Sequence, residues 1–215
     1  MIFCKKVAIV HALWVYPQGA PVLSGERTIR VSDVEFHRVP AEEAGELRHE
    51  LGEVYREVFS EPPYEYGEEH VRLFEDRFEA QRQRPGAGLV IARDPAENMA
   101  GFGLTTPPSA SWWTDLTTDV EPAVTDGPPG RTFVLVELLV RRPWRGSGVA
   151  ARLHDLLRED RREERATLTV RPDADAAQHA YASWGWLKVA RKRNPLPGSP
   201  IHDVLVRDLR PPRTR

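Results

Sequence analysis

A turn with two glycines, at residues 145–150, is the part of this chain best suited to bind a ligand. It follows the apolar run at residues 134–140, which predicts a buried strand, and it precedes a segment with helical periodicity. A strand that turns into a helix points backbone N–H groups and the positive end of the helix dipole at one place. Gly146 and Gly148 have no Cβ, so an anion can approach these amides closely. The pattern therefore predicts a site for a phosphate group such as a pyrophosphate.

Three arginines, at positions 141, 142 and 145, add positive charge around this turn. Two common nucleotide-binding patterns are absent from the sequence. No G-x-x-x-x-G-K-[ST] occurs, which excludes a P-loop, and no G-x-G-x-x-G occurs, because Gly101 and Gly103 lack the third glycine. What remains is Arg-x-x-Gly-x-Ala at residues 145–150. A pattern this short also fits an ordinary strand-to-helix turn, so the sequence around it has to decide.

The sequence after the turn predicts a helix and then a strand. Val149, Leu153, Leu156 and Leu157 lie on one helical face, while the opposite face is charged. We therefore expect this helix to pack on a sheet. Residues 166–170 alternate apolar and polar side chains, which predicts a half-buried strand.

A second helix and two more strands follow. Asp173 is the predicted N-cap of this helix, Tyr181 lies on its apolar face, and Gly185 is placed to end it in a left-handed conformation. Short apolar segments at residues 187–191 and 204–206 predict two further strands. The order of elements from residue 133 is thus strand, helix, strand, helix, strand, strand.

This order, and two motifs within it, resemble the GNAT N-acyltransferase superfamily. In that family an [Arg/Gln]-x-x-Gly-x-[Gly/Ala] loop follows a strand that contacts acyl-CoA, as residues 145–150 follow Glu-Leu-Leu-Val at residues 137–140. Residues 177–186 are similar to the family's A-x-x-x-Y-x-x-x-G-aromatic helix end. The resemblance is close over residues 133–206 and weaker from Val34 onward. It implies a bacterial, actinobacterial-like member with an α/β fold, in which helices flank a mixed central sheet in a single domain.

The resemblance also implies a set of site residues, with acetyl-CoA as the cosubstrate and no metal. It implies catalytic roles for Glu137 and Tyr181, where Tyr181 matches the family tyrosine that protonates the departing thiolate. A backbone N–H near Leu139 or Val140 is implied to contact the acetyl carbonyl. The cofactor-binding residues that it implies are Leu138, Leu139, Val140, Arg145, Gly146, Ser147, Gly148, Val149 and Ala150.

Acyl transfer from a thioester to an amine requires that the amine lose a proton and that the carbonyl oxygen and the leaving thiolate find donors. Glu137 is a polar residue in an otherwise apolar strand. The resemblance suggests it as the general base, acting directly or through water, and burial would raise its pKa in the useful direction. The residues alone leave two alternatives open. Glu137 can form a structural ion pair with a nearby arginine, and Tyr181 can be a core aromatic.

One position departs from the family pattern. Members often have an asparagine seven residues before the helix tyrosine, where its amide contacts the pantetheine arm. Here that position is Ala174, and its neighbours Asp173 and Asp175 lack the amide donor. This departure puts that contact in doubt.

Composition bounds the function class. The 215 residues suffice for one well-formed core, and 30 basic against 32 acidic side chains argue against a general nucleic-acid binder. The single cysteine, Cys4, excludes a disulfide framework, and no Cys/His cluster has metal-ligand spacing. Arginines at positions 207, 210, 213 and 215 predict a solvated, frayed tail.

The first thirty residues superficially resemble a signal peptide. Their apolar run is short, contains His11, and lacks a convincing cleavage site before Pro21. No segment is long enough to span a bilayer. We therefore expect a cytoplasmic protein with no membrane partner. We expect an N-terminal extension at residues 1–33, the family domain at residues 34–210 and a tail at residues 211–215.

The N-terminal half predicts two helices, around residues 47–58 and 71–78, and then a hairpin at residues 88–104. In the family, these helices and the loop between them form one wall of the acceptor site. By analogy Tyr64 and Tyr66 would line that wall. Packing of the two rings between the loop and the sheet is an equally good interpretation.

The connection at residues 105–130 is long and irregular, and loops of this length are often functional. It contains the pair Trp112 and Trp113 and no lysine or arginine. Its carboxylates are Asp115, Asp119, Glu121 and Asp126. An acidic rim of this kind would attract a cationic amine, and the tryptophans would stack on it. The alternative is that the tryptophans fill the core or a dimer interface while the acids face water.

Together these features predict an N-acetyltransferase that moves an acetyl group from acetyl-CoA directly to a primary amine. The amine is a small molecule or a peptide whose identity the sequence does not give. Two alternatives stand: a donor with a longer acyl chain, and a non-catalytic acyl-CoA-binding or regulatory module. Homodimers are common in the family, so the resemblance allows a homodimer here.

Overall fold

A seven-stranded mixed sheet is the centre of the structure, a computed structural model that describes residues 30–193 and 200–209. The strands are β1 (Glu35–Val39), β2 (Gly88–Arg93), β3 (Met99–Thr106), β4 (Thr132–Val140), β5 (Arg165–Val170), β6 (Leu187–Arg193) and β7 (Ile201–Asp208). The helices are α1 (Arg48–Phe59), α2 (Glu68–Arg82), α3 (Pro122–Thr125), α4 (Val149–Arg158) and α5 (Asp175–Ser183). Short 3-10 turns occupy Val31–Asp33, Ala44–Leu47 and Arg142–Trp144. The predictions for residues 1–29, including Cys4, and for residues 210–215 lie outside the described residues.

The sheet order is β1-β2-β3-β4-β5-β7-β6, and every neighbouring pair is antiparallel except β4 and β5. The parallel pair is joined only at its beginning, where residues 132–134 face residues 165–167. Beyond this point β4 and β5 no longer pair, and a gap opens toward their carboxyl ends. Since β4 remains paired with β3 and β5 with β7, the gap divides an otherwise continuous sheet.

Helices cover both faces of the sheet. Neighbouring residues of β3 point to opposite faces, and they meet different helices. Phe102 packs against Phe74 of α2, with ring centroids 6.0 Å apart. Next to it, a Cβ on Gly103 would overlap Leu157 of α4. The helical faces predicted for α1, α2 and α4 are all buried, as expected for helices that pack on a sheet. The predicted α/β fold, a mixed sheet flanked by helices in one domain, is confirmed.

The predicted end of α5 at Gly185 is also confirmed. Gly185 has φ +78°, and its N–H donates to Ala182 O at 3.0 Å. The N–H of Trp186 donates to Tyr181 O at 3.0 Å. These two bonds form a Schellman motif, in which the residue after the glycine packs against the last turn of the helix.

Two predictions around β5 and α5 were wrong. Asp173 does not cap α5, whose N-cap is Ala174 and lacks a side-chain cap. Asp173 instead forms a bidentate ion pair with Arg171, in which Nε donates to Oδ1 at 2.8 Å and Nη2 donates to Oδ2 at 2.5 Å. The β5 strand is buried on both faces, although its sequence alternates, and Thr167 satisfies its hydroxyl by donating to Leu205 O at 3.0 Å.

Arg207 does not belong to a frayed tail. It lies in β7 and donates to the carbonyl oxygen of Trp184, at the end of α5. The sequence predicted a tail because Arg207 is polar and close to the C-terminus. In the structure, the ladder between β5 and β7 includes this residue in the sheet.

The connection between β3 and β4 reaches across to β6 rather than staying beside its own strands. The N–H of Thr117 donates to Arg191 O at 2.8 Å, and Leu116 forms a bridge with Lys192. Trp112 is buried in the core, and its carbonyl accepts from the buried ammonium of Lys192. Core packing, the alternative interpretation, therefore holds for Trp112. Among the described residues, no helix is long and apolar enough to cross a membrane.

Candidate active site

The candidate site lies where β4 and β5 separate. In open α/β sheets, ligands bind outside the carboxyl ends of strands where the topology opens a crevice. Beyond residue 134 the edge of β4 that faces β5 has no ladder partner, so N–H and C=O groups on that edge are available to a ligand. Leu138, Leu139 and Val140, the predicted contacts for the acyl group, lie on this stretch.

A β-bulge changes the course of β4 beside the gap. Leu104 faces Glu137 and Thr105 faces Leu135, so Val136 is the extra residue on β4. Bulges bend a strand and re-aim the side chains next to them. The register shift thus falls directly before Glu137.

The predicted phosphate turn has the backbone that its glycines suggested. Gly146 and Gly148 have φ +73° and +94°, which is the left-handed region that L side chains rarely adopt. Gly148 is the N-cap of α4, and no described side chain caps that helix. The first N–H groups of α4, from Val149 and Ala150, therefore remain available for an anion. The hydroxyl of Ser147 donates to Trp144 O at 2.6 Å and is used within the turn itself.

The arginines around this turn differ in what they contact. The Arg145 side chain is only 3% exposed and pairs with Glu61 at 2.6 Å, while its Nε donates to Val140 O at 3.0 Å. Arg141 lies 3.1 Å from a carboxylate oxygen of Glu57. Arg142 is exposed. The side chain of Arg145 thus braces the turn against the segment that follows α1.

Removing this brace should weaken CoA binding even though Glu61 lies outside the turn. We expect Glu61→Ala and Arg145→Ala each to raise the Kd for CoA about tenfold, roughly 1.4 kcal/mol, because each leaves a partly buried charge unpaired. Calorimetry with CoA measures both. Glu69→Ala, which removes an exposed carboxylate from the same region, is the matched control. An Arg145 variant that loses affinity while the Glu61 variant keeps it would instead indicate direct contact with the ligand.

Glu137 is completely buried, and its carboxylate has two different environments. One oxygen, Oε1, accepts from Arg77 Nη2 of α2 at 2.6 Å. The other oxygen, Oε2, has no hydrogen-bond partner among the described residues. Burial raises the pKa of Glu137 to about 8, and the nearby Arg77 charge opposes that rise. One oxygen of this carboxylate is therefore anchored, and the other is buried without a hydrogen-bond partner among the described residues.

The partner of Glu137 was not predicted. The sequence suggested an arginine close by in the chain, whereas Arg77 precedes Glu137 by 60 residues and comes from another helix. The available signal was weak: Arg77 lies one turn after Phe74, at the edge of the apolar face of α2, and packs beside its ring at 5.8 Å.

Tyr181 is also completely buried, and its hydroxyl has no hydrogen-bond partner among the described residues. Burial raises its pKa, and the charge of Glu137 raises it further. The two residues predicted to be catalytic are therefore both buried, and the charge of one acts on the other. A hydroxyl that is buried without a partner costs free energy, which is typical of a group whose partner is a ligand.

Tyr64 and Tyr66 lie on the loop between α1 and α2 and form an aromatic cluster with Phe59. Burial raises the pKa of Tyr66, and both Arg171 and Glu137 act on it electrostatically. The two rings therefore pack against the end of α1. The place of this loop as an acceptor wall stays a prediction.

Arg171, which the sequence did not single out, joins this loop to the end of β5. Its guanidinium pairs with Asp173 and lies 5.4 Å from the centroid of the Tyr64 ring. Asp173 is thus paired with Arg171, and as a carboxylate it lacks the amide donor of the asparagine in the family pattern. Ala174 itself is buried. Among the described residues, no group of three or more potential ligand side chains is arranged to hold a metal ion.

Comparisons with known proteins give the same fold and identify the family. The model of the Acetyltransferase (GNAT) family matches residues 49–186, more than half of the chain. No curated protein matches it by sequence. A GNAT-family structure from Desulfovibrio desulfuricans is similar with TM-score 0.59 and 14% identity, covering 82% of this chain and 99% of the other. An aminoglycoside 6'-N-acetyltransferase complexed with coenzyme A is similar with TM-score 0.57 and 15% identity, covering 82% and 98%.

A third structure, from Salmonella typhimurium and described as an acetyltransferase with its cofactor acetyl-CoA, is similar with TM-score 0.58 and 10% identity, covering 85% of this chain and 97% of the other. At these identities the structural likeness supports the fold, and the match to the family model supports the membership. The chain belongs to the GNAT family of acetyltransferases.

Proposed function

We propose that this protein transfers an acetyl group from acetyl-CoA directly to a primary amine. One observation carries the proposal: Glu137 Oε2 and the Tyr181 hydroxyl are both buried and unpaired among the described residues, and the charge of Glu137 acts on that hydroxyl. Amide formation from a thioester requires a base and an acid of this kind. The family membership supports acetyl transfer.

The residues around the gap fit acetyl-CoA. The uncapped end of α4 and the left-handed glycines provide N–H donors for its pyrophosphate. The unpaired edge of β4 offers backbone groups to the pantetheine arm and to the acetyl carbonyl, with a donor near Leu139 or Val140. Bound acetyl-CoA supplies an activated thioester.

Glu137 accepts the proton that the ammonium group of the acceptor must lose, either directly or through one water. Its Oε2 has no hydrogen-bond partner among the described residues, while the bond from Arg77 to Oε1 fixes the orientation of the carboxylate. A base is most effective when its pKa lies near the working pH, and burial brings the pKa of Glu137 to about 8.

Tyr181 donates its proton to the sulfur atom of the departing CoA. Burial keeps the phenol protonated, as a donor must be, since its pKa is raised well above the ordinary value. No covalent acyl-protein step is part of the proposal, because the only cysteine, Cys4, is distant in sequence from all these residues.

The test of this function is mass spectrometry of both protein and product. We expect an amine incubated with the protein and acetyl-CoA to gain one acetyl group while the protein mass stays unchanged. An acetylated protein that passes its acetyl group to the amine would contradict direct transfer. Acetylation of an alcohol in preference to every amine would contradict the acceptor class.

A second function has one observation in its favour. Ala174 has no side-chain amide to contact the pantetheine arm. This departure from the family pattern leaves room for a protein that binds acyl-CoA without turnover. Acetyl-CoA and a longer acyl-CoA should also be compared as donors. Arg145→Ala should weaken CoA binding in an enzyme and in a binding module alike, whereas Tyr181→Phe affects turnover only in an enzyme.

Arg77 should set the pH range of the reaction. Because Arg77 opposes the raised pKa of Glu137, Arg77→Gln should raise that pKa further. The carboxylate form would then appear only at higher pH, so the rising limb of kcat/KM moves to alkaline pH. At pH 7 the rate should fall about tenfold for each pKa unit gained.

The measurement is the pH profile of kcat/KM, with Arg77→Lys as the matched variant that retains the charge and keeps the limb near that of the wild type. Recovery of the Arg77→Gln rate at high pH separates this effect from a damaged fold. A loss of rate that is equal at every pH would contradict the assignment.

A further inference from the structure

His154 is a buried histidine that none of the preceding chemistry uses. It lies on α4 and is 2% exposed, although Leu153 and Leu157 on the same helix already supply its apolar face. Its Nε2 accepts a hydrogen bond of 3.0 Å from Trp186 Nε1. Because an indole N–H only donates, Nε2 is unprotonated and the neutral ring carries its proton on Nδ1, 3.5 Å from Asp155 Oδ1. Burial, with the charges of Arg158 and Arg207, lowers the pKa of His154 to about 3.

Two tryptophans connect this histidine to Tyr181. The Trp184 ring stacks on the His154 ring with centroids 4.5 Å apart, and the Trp186 indole is held by the hydrogen bond. Both tryptophans meet Tyr181 edge-on, at centroid distances of 5.8 and 5.7 Å. The backbone N–H of Trp186 also donates to Tyr181 O and completes the Schellman motif. The tyrosine ring is therefore flanked by two side chains that His154 fixes.

We infer that His154 is a positioning residue, which orients the Tyr181 hydroxyl toward the leaving sulfur through Trp184 and Trp186. The inference rests on the proposed function. Since no described group hydrogen-bonds the Tyr181 hydroxyl, only ring packing sets its direction. An apolar residue at position 154 would leave the indole N–H of Trp186 buried and without an acceptor, so the indole would shift toward another partner. The tyrosine ring would follow, while the phosphate turn at the start of α4 would remain in place.

The test compares His154→Phe with His154→Gln, whose amide oxygen can still accept from Trp186. For turnover we use acetyl-CoA and the best amine among spermidine, kanamycin, lysine and a short peptide. We expect His154→Phe to lower kcat about 10- to 100-fold, the effect of a misplaced reacting group, and to leave the Kd for CoA unchanged. His154→Gln should keep most of the wild-type rate.

The double variant isolates the route through Tyr181. In a Tyr181→Phe background, which has no hydroxyl to orient, adding His154→Phe should cause no further loss of kcat. Losses that multiply in the double variant, or an equal loss of CoA affinity and rate, would overturn the inference, because a general structural role predicts both.

A second measurement does not depend on turnover. In protein labelled with 3-fluorotyrosine, the fluorine NMR resonance of Tyr181 is identified by its loss in Tyr181→Phe. We expect that resonance to move in His154→Phe and to stay in place in His154→Gln. An unmoved resonance in a folded His154→Phe protein would overturn the inference. A moved resonance together with full activity of Tyr181→Phe would instead count against the proposed role of the tyrosine.

Discussion

Replacing Glu137 with glutamine should lower kcat/KM about 10²- to 10⁴-fold, the contribution usual for a general base. Glutamine has the same shape, and its amide oxygen can still accept from Arg77 Nη2, which now holds Glu137 Oε1 at 2.6 Å. The fold and the site geometry are therefore retained while the proton acceptor is lost. The rising limb of the pH profile near pH 8, caused by the buried carboxylate, should disappear with it.

The measurement is steady-state kinetics from pH 6 to pH 10, beside calorimetry with CoA. Glu50→Gln is the matched control, because Glu50 also pairs with an arginine, Arg93 Nη2 at 2.7 Å, at the end of β2 and two strands from β4. We expect the control to keep its rate and its pH profile. A Glu137→Gln protein with wild-type activity would show that the carboxylate serves only the ion pair.

Replacing Tyr181 with phenylalanine should lower kcat about 10²- to 10⁴-fold and leave CoA affinity unchanged. The phenylalanine ring keeps the edge-on contacts with Trp184 and Trp186, so packing changes little. Only the hydroxyl is removed, and it has no partner among the described residues that would be left unsatisfied. The protein should even gain slightly in stability, because a buried polar group without a partner is costly.

Turnover, the Kd for CoA and the melting temperature of Tyr181→Phe together test this expectation. Lower kcat with an equal or higher Tm is the predicted combination. If kcat is unchanged, the thiolate leaves without help from this side chain and Tyr181 is a core aromatic. If Tm falls sharply with kcat, the loss of activity reflects the fold.

Local patterns in the sequence predicted what depends on neighbours along the chain. The glycine turn at residues 145–150, the buried faces of α1 and α4, and the helix end at Gly185 all follow from residue spacing and backbone preference. The proposed roles of Glu137 and Tyr181 came from family resemblance, since 44 positions separate these residues and no periodicity connects them.

Contacts between distant segments could not be read in this way. Arg77 pairs with Glu137, and Glu61 pairs with Arg145. Both ion pairs form across the fold, and their geometry depends on how α1, α2 and β4 approach each other. Sequence spacing does not contain that information.

The β3–β4 connection shows the same limit on a larger scale. Its composition suggested an acidic rim, yet residues 116–117 join β6, and Lys192 from β6 supplies the cation that the loop lacks. Asp115 lies 3.9 Å from that ammonium group. The partner of this loop is the last strand but one in the chain, so nothing inside the loop predicts it.

The most direct test of the central claim is thiol release from acetyl-CoA by the wild-type protein. It is measured with spermidine, kanamycin, lysine and a short peptide as acceptors, and CoA binding is measured in parallel. We predict binding of CoA and release that depends on one class of amine. Tight binding with no release from any amine would contradict catalysis and favour the binding module. Failure to bind CoA at all would contradict the site itself, with its uncapped helix and its two left-handed glycines.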